Sequence, residues 1–300
     1  LSPSISSSIS PSGSISQSIS PSKSPSASSS ISASTSPSVS PSVSSSISPS
    51  AAPGGWLGTW AKRRKITIST TNIDADLTQF PVLIKLGTSV GTGTDDVSDI
   101  FDEVADNNLK IAFTQSDGET QLYGEIENWS DATETAQVWV SGSGWVIDDA
   151  VDTDIYMYFD AAQADNTTYI GVKNSTAAQS VWDANYVGVY HMDDGANTSG
   201  IYDSTSNNRD GTKVGAANPA VNSGGLIGNC QSFDGSDYID LGTGWSPTDN
   251  FTLQAIVKPT SASTADLQII SKGYDGTNTQ FELKPVDTTG FPHFQCWTGS

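Results

Sequence analysis

The stretch AQVWV at residues 136–140 alternates Ala and Val with Gln and Trp. Successive residues of a β-strand face opposite sides, so this alternation predicts a strand with one apolar face. DIYMYF at residues 154–159 is a second stretch of this kind. Gly, Asn and Asp are frequent between such stretches, and these residues favour turns. Together they predict a sheet with a core on one side.

Working outward from residues 136–140, eight further apolar stretches have the length and composition of strands. They are KITIST (65–70), FPVLIKL (80–86), LKIAF (109–113), YVGVYHM (186–192), DYIDL (237–241), FTLQAIV (251–257), LQIIS (267–271) and QFELK (280–284). No segment has the period of a long amphipathic helix, and at most one short helix is expected, near Ser98–Asp102. The predicted fold class is all-β, built from β-sandwiches.

Residues 1–50 have a different composition. Every even-numbered residue from Ser2 to Ser50 is serine, and the unit is a tetrapeptide, Ser-Pro-Ser-Ile/Val, with one slip near Gly13. Proline removes the donor that a central strand needs, and such a segment cannot bury a core. We therefore predict an extended rod without regular secondary structure, followed by a hinge at residues 51–55.

A serine-rich tract with proline is typical of O-glycosylated stalks. The serines expected to carry sugars are Ser2, Ser4, Ser10, Ser12, Ser20, Ser22, Ser24, Ser26, Ser36, Ser38, Ser40, Ser42, Ser48 and Ser50. The candidate modified prolines are Pro3, Pro11, Pro21, Pro25, Pro37, Pro41 and Pro49. Two other interpretations stay open: the repeat pairs as a strand with another subunit, or it is an unmodified linker.

This tetrapeptide period resembles linear tetrapeptide-repeat glycofibrils, in which sugars form a shell around an extended peptide. The resemblance covers residues 1–50 only. It implies covalent O-linked glycans as partners, together with copies of the chain or neighbouring glycan-coated chains in a fibre.

The charge and composition exclude several classes of partner. With 13 Lys and Arg against 33 Asp and Glu, the formal net charge is −20, which argues against binding nucleic acid or an anionic membrane. No apolar run is long enough for a membrane helix. Few basic residues among many Ser, Thr, Asn and Gly indicate an extracellular or cell-surface location. The chain opens on Leu1 rather than Met, as expected for a processed chain or a fragment.

Residues 56–182 resemble the bacterial domain of unknown function called DUF2341. The matching stretches are WAKRRKITI (60–68), FPVLIKL, DIFDEVADNNLKIAFTQSDG (99–118), GEIENW (124–129), AQVWV, IYMYFD (155–160) and VWDANYVGVYHMDD (181–194). The resemblance implies a β-sandwich and no established chemistry.

Residues 183–300 resemble a laminin-G-like jelly roll of the concanavalin-A type. The matching stretches are VYHMDDG (189–195), YDSTSNNRDGT (202–212), GLIGNCQSFDGSDYIDLG (225–242), FTLQAIVKP (251–259) and IISKG (269–273). The match stops in mid-domain, so the second sandwich is expected to be incomplete. Jelly rolls of this type often hold structural calcium, and some are glycosidases with paired acids on one strand.

Hard oxygen ligands close together in sequence suit Ca²⁺. The candidate ligands are Asp203, Asn207, Asp210 and Asp234, although Asx-rich turns also form without metal. Calcium is a candidate structural ion, and no cofactor is required. Cys230 and Cys296 are candidates for a disulfide in an oxidising compartment.

Catalytic residues are not predicted. Glu125 and Glu127 form an i, i+2 acidic pair on one strand face beside Trp129, and the resembled family gives that pair no role. His191 is interpreted as a structural residue near a domain boundary. The chain is therefore predicted to be a non-enzymatic structural component of an extracellular glycosylated fibril or surface appendage. The alternative is a carbohydrate-binding adhesin, with the jelly roll as lectin and the repeat as stalk.

Overall fold

The structure is a computed structural model that describes residues 55–194, 199–215, 219–244, 250–259, 268–273, 281–284 and 293–296. In these residues strands far outnumber helices. This confirms the predicted all-β class, while the predicted sandwiches stay a prediction. The serine repeat and most of the hinge lie outside the described residues. The rod, its glycosylated serines and its modified prolines therefore stay predictions.

Nine strands and two short helices lie in the first part of the chain. Their bounds are β1 Arg63–Ile68, β2 Leu77–Thr78, β3 Val82–Leu86, α1 Asp99–Val104, β4 Ile111–Thr114, β5 Gln121–Ser130, β6 Thr135–Ser141, β7 Val146–Ile147, β8 Thr153–Phe159, β9 Ile170–Val172 and α2 Thr176–Gln179. Helix α1 overlaps the short helix predicted near residues 98–102, whereas α2 was not predicted.

Shorter strands follow in the second part of the chain. They are β10 Gly200–Ile201, β11 Gly211–Val214, β12 Ala220–Asn222, β13 Cys230–Ser232, β14 Tyr238–Asp240, β15 Ile270–Lys272, β16 Phe281–Lys284 and β17 His293–Cys296. The domain boundaries predicted from the sequence stay predictions.

The strands of the first part form a largely antiparallel seven-stranded sheet. Its order is β1-β8-β4-β5-β6-β3, and β9 pairs with β5 in the parallel direction. The other described strands form small sheets, namely β2-β7, β10-β11-β14, β12-β13 and β15-β16-β17. The register between β5 and β6 shifts between Ile126 and Asn128, so Glu127 lies in a β-bulge.

The core lies on one face of the seven-stranded sheet. On β6, Ala136, Val138 and Val140 have no exposed surface, as the alternation in AQVWV predicted. Helix α1 covers this face with the buried side chains of Ile100 and Phe101. In the part of the chain that the structure describes, no helix is long and apolar enough to cross a bilayer.

Two predicted strands are absent from the described structure. The stretch YVGVYHM (186–192) contains no strand, because side chains of the following loop take up its backbone groups. Asn207 Nδ2 donates to the carbonyls of Tyr186 and Val187, and the amide of Val189 donates to a side chain instead of to a neighbouring strand. The stretch FTLQAIV (251–257) likewise has no strand partner among the described residues.

Candidate functional site

A cluster of two glutamates and one histidine lies against the face of the seven-stranded sheet that is opposite the core. Glu125 on β5 pairs with Trp139 on β6, while the intervening Ile126 and Val138 point into the core. Glu125 has no exposed surface, and the side chain of Glu127 is only 3% exposed. The alternation of β5 and the bulge at Glu127 therefore place two buried carboxylates next to each other.

His191 supplies the positive charge between these carboxylates. Its Nε2 lies 3.2 Å from Glu125 Oε2, and its Nδ1 lies 3.3 Å from Glu127 Oε2. The Nε2 atom forms no well-directed hydrogen bond, so its attraction to Glu125 is mainly one of charge. The imidazole is 7% exposed, so the contact between His191 and Glu125 of β5 is buried.

Three further donors complete the hydrogen bonding of the two glutamates. The indole N–H of Trp182 donates to Glu125 Oε2 at 2.6 Å, and the indole N–H of Trp139 donates to Glu127 Oε2 at 2.5 Å. Ser204 Oγ donates to Glu125 Oε1 at 2.7 Å. Buried carboxylates are tolerated when charges and donors surround them in this way.

The protonation of His191 follows from these neighbours. Burial lowers the pKa of His191, but the contacts and charges of Glu125 and Glu127 outweigh burial and raise that pKa to about 10, from an ordinary value of 6.5. The imidazole is therefore a cation at neutral pH. We call Glu125, Glu127 and His191 the charged cluster.

The charged cluster makes the stability of the chain depend on pH. Since the pKa of His191 is higher in the folded than in the unfolded chain, its stabilising effect is complete below about pH 6.5 and falls as the pH rises toward 10. We expect the difference in unfolding free energy between the wild-type chain and His191→Ala to shrink steadily from pH 7 to pH 10. Urea unfolding of both chains across this range measures it, and a constant difference would contradict the assignment.

A second ion pair ties the same segment to the sheet. Lys173, directly after β9, contacts the carboxylate of Asp193 and lies 3.0 Å from Asp194 Oδ1. Burial lowers the pKa of Lys173, but Asp193 and Asp194 outweigh burial and raise it above its usual range. The chain from His191 to Asp194 is thus held to β5 and β9 by buried or half-buried charges.

The chemistry open to the charged cluster is limited by its burial. A glycosidase needs two carboxyl groups that a substrate can reach, whereas Glu125 is fully enclosed by Trp182, Ser204 and His191. The three side chains also do not converge on one point, because His191 offers a different ring nitrogen to each carboxylate. The arrangement suits a structural junction better than acid–base catalysis or metal binding.

The predicted calcium turn closes on itself through hydrogen bonds. Both oxygens of the buried Asp203 are occupied: Oδ1 accepts from the amides of Val189 and Thr205, and Oδ2 accepts from Thr205 Oγ1 and the amide of Arg209. Asp210 Oδ1 accepts from the amide of Asp203 at 2.9 Å. This turn presents Ser204 to Glu125.

The other predicted ligands lie apart from a shared centre. Asn207 donates its amide to backbone carbonyls, and the exposed Asp234 accepts from Ser236. Among the described residues, the three acidic side chains that lie close enough together to hold one ion are those of Asp76, Asp148 and Asp149, all exposed. Calcium at the predicted turn therefore stays a prediction.

Of the two cysteines predicted to pair, Cys230 is the one whose side chain the structure describes. Its thiol is free and lies 3.5 Å from the carbonyl oxygen of Asn222. The side chain of Cys296 lies outside the described residues, so the pairing stays a prediction.

A second well-built region lies around Gly55 and Trp56, at the first residues that the structure describes. The guanidinium of Arg63 lies 4.3 Å from the centre of the Trp56 ring and 4.0 Å from that of Tyr156. Arg63 also donates to the carbonyl of Gly55 and to the hydroxyl of Tyr158. Cation–π contacts of this kind hold a cation and an aromatic ring in place.

Tyr158 extends these contacts to a neighbouring turn. Its hydroxyl donates to the carbonyl of Gly118 at 2.8 Å and accepts from the amide of Leu57 at 3.2 Å. We call Gly55, Trp56, Arg63, Gly118 and Tyr158 the N-terminal latch. These contacts bury the side chain of Tyr158, which has no exposed surface.

Sequence reasoning found the members of the charged cluster but not their association. Glu125 and Glu127 were singled out as an acidic pair, and His191 as a structural histidine. These positions are 64 to 66 residues apart in the chain, and no local pattern links residues at such a distance. The nearest available signal was that His191 is one of only two histidines in a very acidic chain.

No family model matches the chain, and no curated protein or solved structure matches it. The resemblances to DUF2341, to laminin-G-like jelly rolls and to glycofibrils therefore stay predictions from the residues.

Proposed function

We propose that the chain is a structural component of an extracellular glycosylated fibril or surface appendage. In this proposal the serine repeat is a linear rod coated with O-linked glycans, and the β-rich part anchors it. The partners are the glycans and copies of the chain or neighbouring glycan-coated chains. No cofactor is required, and no catalytic role is proposed.

The observation that carries this proposal is the N-terminal latch. In this proposal a pull on residues 1–50 is transmitted along the continuous polypeptide to Gly55. Gly55 is held by Arg63, and its amide donates to Glu119 at 3.2 Å. Arg63 belongs to β1, which pairs with β8 over six residues. A load applied at the repeat is thus spread over a sheet, as a fibre subunit requires.

The charged cluster supports the same proposal. A subunit that transmits load needs its parts to keep a fixed geometry, and buried ion pairs whose carboxylates accept hydrogen bonds favour one arrangement over others. His191, Lys173 and their carboxylates hold the 191–194 segment at two points of one sheet. The burial of Glu125 supports a non-enzymatic role.

The alternative function, a carbohydrate-binding adhesin, rests on aromatic residues in loops of the predicted jelly roll. The sequence places Trp245, Tyr274 and Trp297 in or near those loops, and all three lie outside the described residues.

We expect the chain in surface filaments purified from the producing cells to be far heavier than its bare mass of 31.4 kDa. The extra mass should reside in residues 1–50, on even-numbered serines, because sugars at every second residue would hold an extended backbone. Intact mass measurement followed by glycopeptide mapping tests this expectation. Peptides from residues 56–182 serve as the internal control and should be largely unmodified.

Two results would count against the proposal. One is a filament preparation that lacks the chain, with the protein recovered inside the cell. The other is a set of unmodified serines in residues 1–50, which would favour strand pairing with another subunit.

A further inference from the structure

An open cleft lies beside the latch on the first part of the chain. It is a shallow depression with a volume of about 340 Å³ and is open to solvent. Its lining includes Leu57, Trp60, Gln121, Gln163, Asp165 and Asn166. The lining therefore combines one aromatic ring, three side-chain amides and one carboxylate.

Several polar groups of the cleft have no partner within the described residues. The indole N–H of Trp60 makes no hydrogen bond there, and neither does the carboxylate of the exposed Asp165. Gln121 uses its oxygen to accept from Asn166 at 3.0 Å and leaves its amide N–H groups unused. The cleft thus offers donors and an acceptor to a ligand.

The neighbouring side chains hold this surface in shape. Gln163 Nε2 donates to the carbonyl of Thr59 at 3.1 Å and to Asp160 Oδ2 at 3.3 Å. Asn166 Nδ2 donates to the carbonyl of Ile111 at 3.1 Å. Tyr158 packs edge-on against Trp60, with ring centres 6.2 Å apart. Groups fixed before binding lose little entropy when a ligand arrives.

We propose that this cleft binds a neutral saccharide. A sugar ring has an apolar C–H face that can lie against an indole, and hydroxyl groups that both donate and accept hydrogen bonds. Trp60 provides the aromatic surface and a donor, Gln121 provides donors, and the Asp165 carboxylate accepts from hydroxyl groups. A chain with a net charge of −20 disfavours acidic sugars, so the ligand should be uncharged. This site is distinct from the jelly-roll site of the alternative function.

Saturation-transfer NMR of the full chain tests the proposal, because it detects weak binding at an open cleft. The probes are methyl glycosides of glucose, galactose and N-acetylglucosamine, the disaccharides cellobiose and lactose, and N-acetylneuraminic acid as an acidic comparison. At least one neutral sugar should give a signal. Trp60→Ala and Asp165→Ala should each weaken binding tenfold or more.

Asp74→Ala is the matched control, because Asp74 is an exposed acid outside the cleft, and it should leave binding unchanged. Circular dichroism checks that Trp60→Ala is folded, and the exposed Asp165 offers a second variant whose folding is not at risk. The proposal is overturned if no neutral sugar binds, if either cleft variant binds as the wild type does, or if the acidic sugar binds more tightly.

Discussion

Replacing His191 with alanine is expected to lower the free energy of unfolding by about 3 to 5 kcal/mol at pH 7. The substitution removes the one cation between Glu125 and Glu127 and leaves two buried carboxylates without a counter-charge. Urea unfolding followed by tryptophan fluorescence measures the loss, since Trp139 and Trp182 lie within about 6 Å of the imidazole, with ring centres 6.1 and 5.9 Å away.

Two controls separate lost charge pairing from lost packing. Lys65→Ala breaks an exposed pair with Asp154 at the same distance, 3.2 Å, and should cost about 1 kcal/mol or less. Adding Glu125→Gln and Glu127→Gln to His191→Ala should restore part of the stability, because the uncompensated charges are then absent. A loss below 1 kcal/mol in His191→Ala, or no recovery in the triple variant, would contradict the charged cluster as a stabilising junction.

Gly118→Ala is expected to destabilise the folded chain by about 2 to 4 kcal/mol and to release the N-terminal latch. Gly118 has a φ of +75°, which strains any other residue, and an added Cβ would lie 2.0 Å from the carbonyl oxygen of Gly55. The backbone at Gly55 or Gly118 must move to remove this overlap. We expect that movement to break the hydrogen bond that Arg63 donates to the carbonyl of Gly55. Thermal unfolding gives the stability loss, and hydrogen exchange over residues 55–68 reports the release of the latch.

Gly144→Ala provides a control with the same backbone strain. Gly144 also has a φ of +75°, but an added Cβ would meet no atom within 4 Å. That variant should lose only the strain energy, about 1 to 2 kcal/mol, with unchanged exchange at residues 55–68. Equal losses in the two variants would show that the latch contacts add nothing to stability.

The sequence predicted the sheet best where local pattern and final burial coincide. On β6 the apolar residues Ala136, Val138 and Val140 recur with period two, and these residues form the core. The stretch YVGVYHM has a comparable apolar composition but forms no strand, because Asp203 and Asn207 satisfy its backbone. A strand is predicted from the pattern of its side chains. To form, it also needs a neighbouring strand whose backbone N–H and C=O groups are free to pair with its own.

The candidate sites also depend partly on local sequence and partly on the tertiary structure. Asp203 was predicted as a calcium ligand because Asp and Asn cluster in its turn, yet four donors from the turn and from Val189 occupy its carboxylate. The turn itself follows from composition, since Asp and Asn bond their own backbone. Which oxygens remain for a ligand depends on how that turn packs against distant residues.

The sequence by itself determined the all-β class and the acidic net charge of −20, and it predicts an extended, coreless segment at residues 1–50. These properties depend on local alternation, on charge count and on the backbone limits of proline, which hold wherever the segment lies. Only the tertiary structure decided that His191 lies between Glu125 and Glu127, and that Arg63 lies between Trp56 and Tyr156. The physical reason is that a charge pair or a cation–π contact acts over a few ångströms in space, and the fold alone brings distant positions of the chain that close.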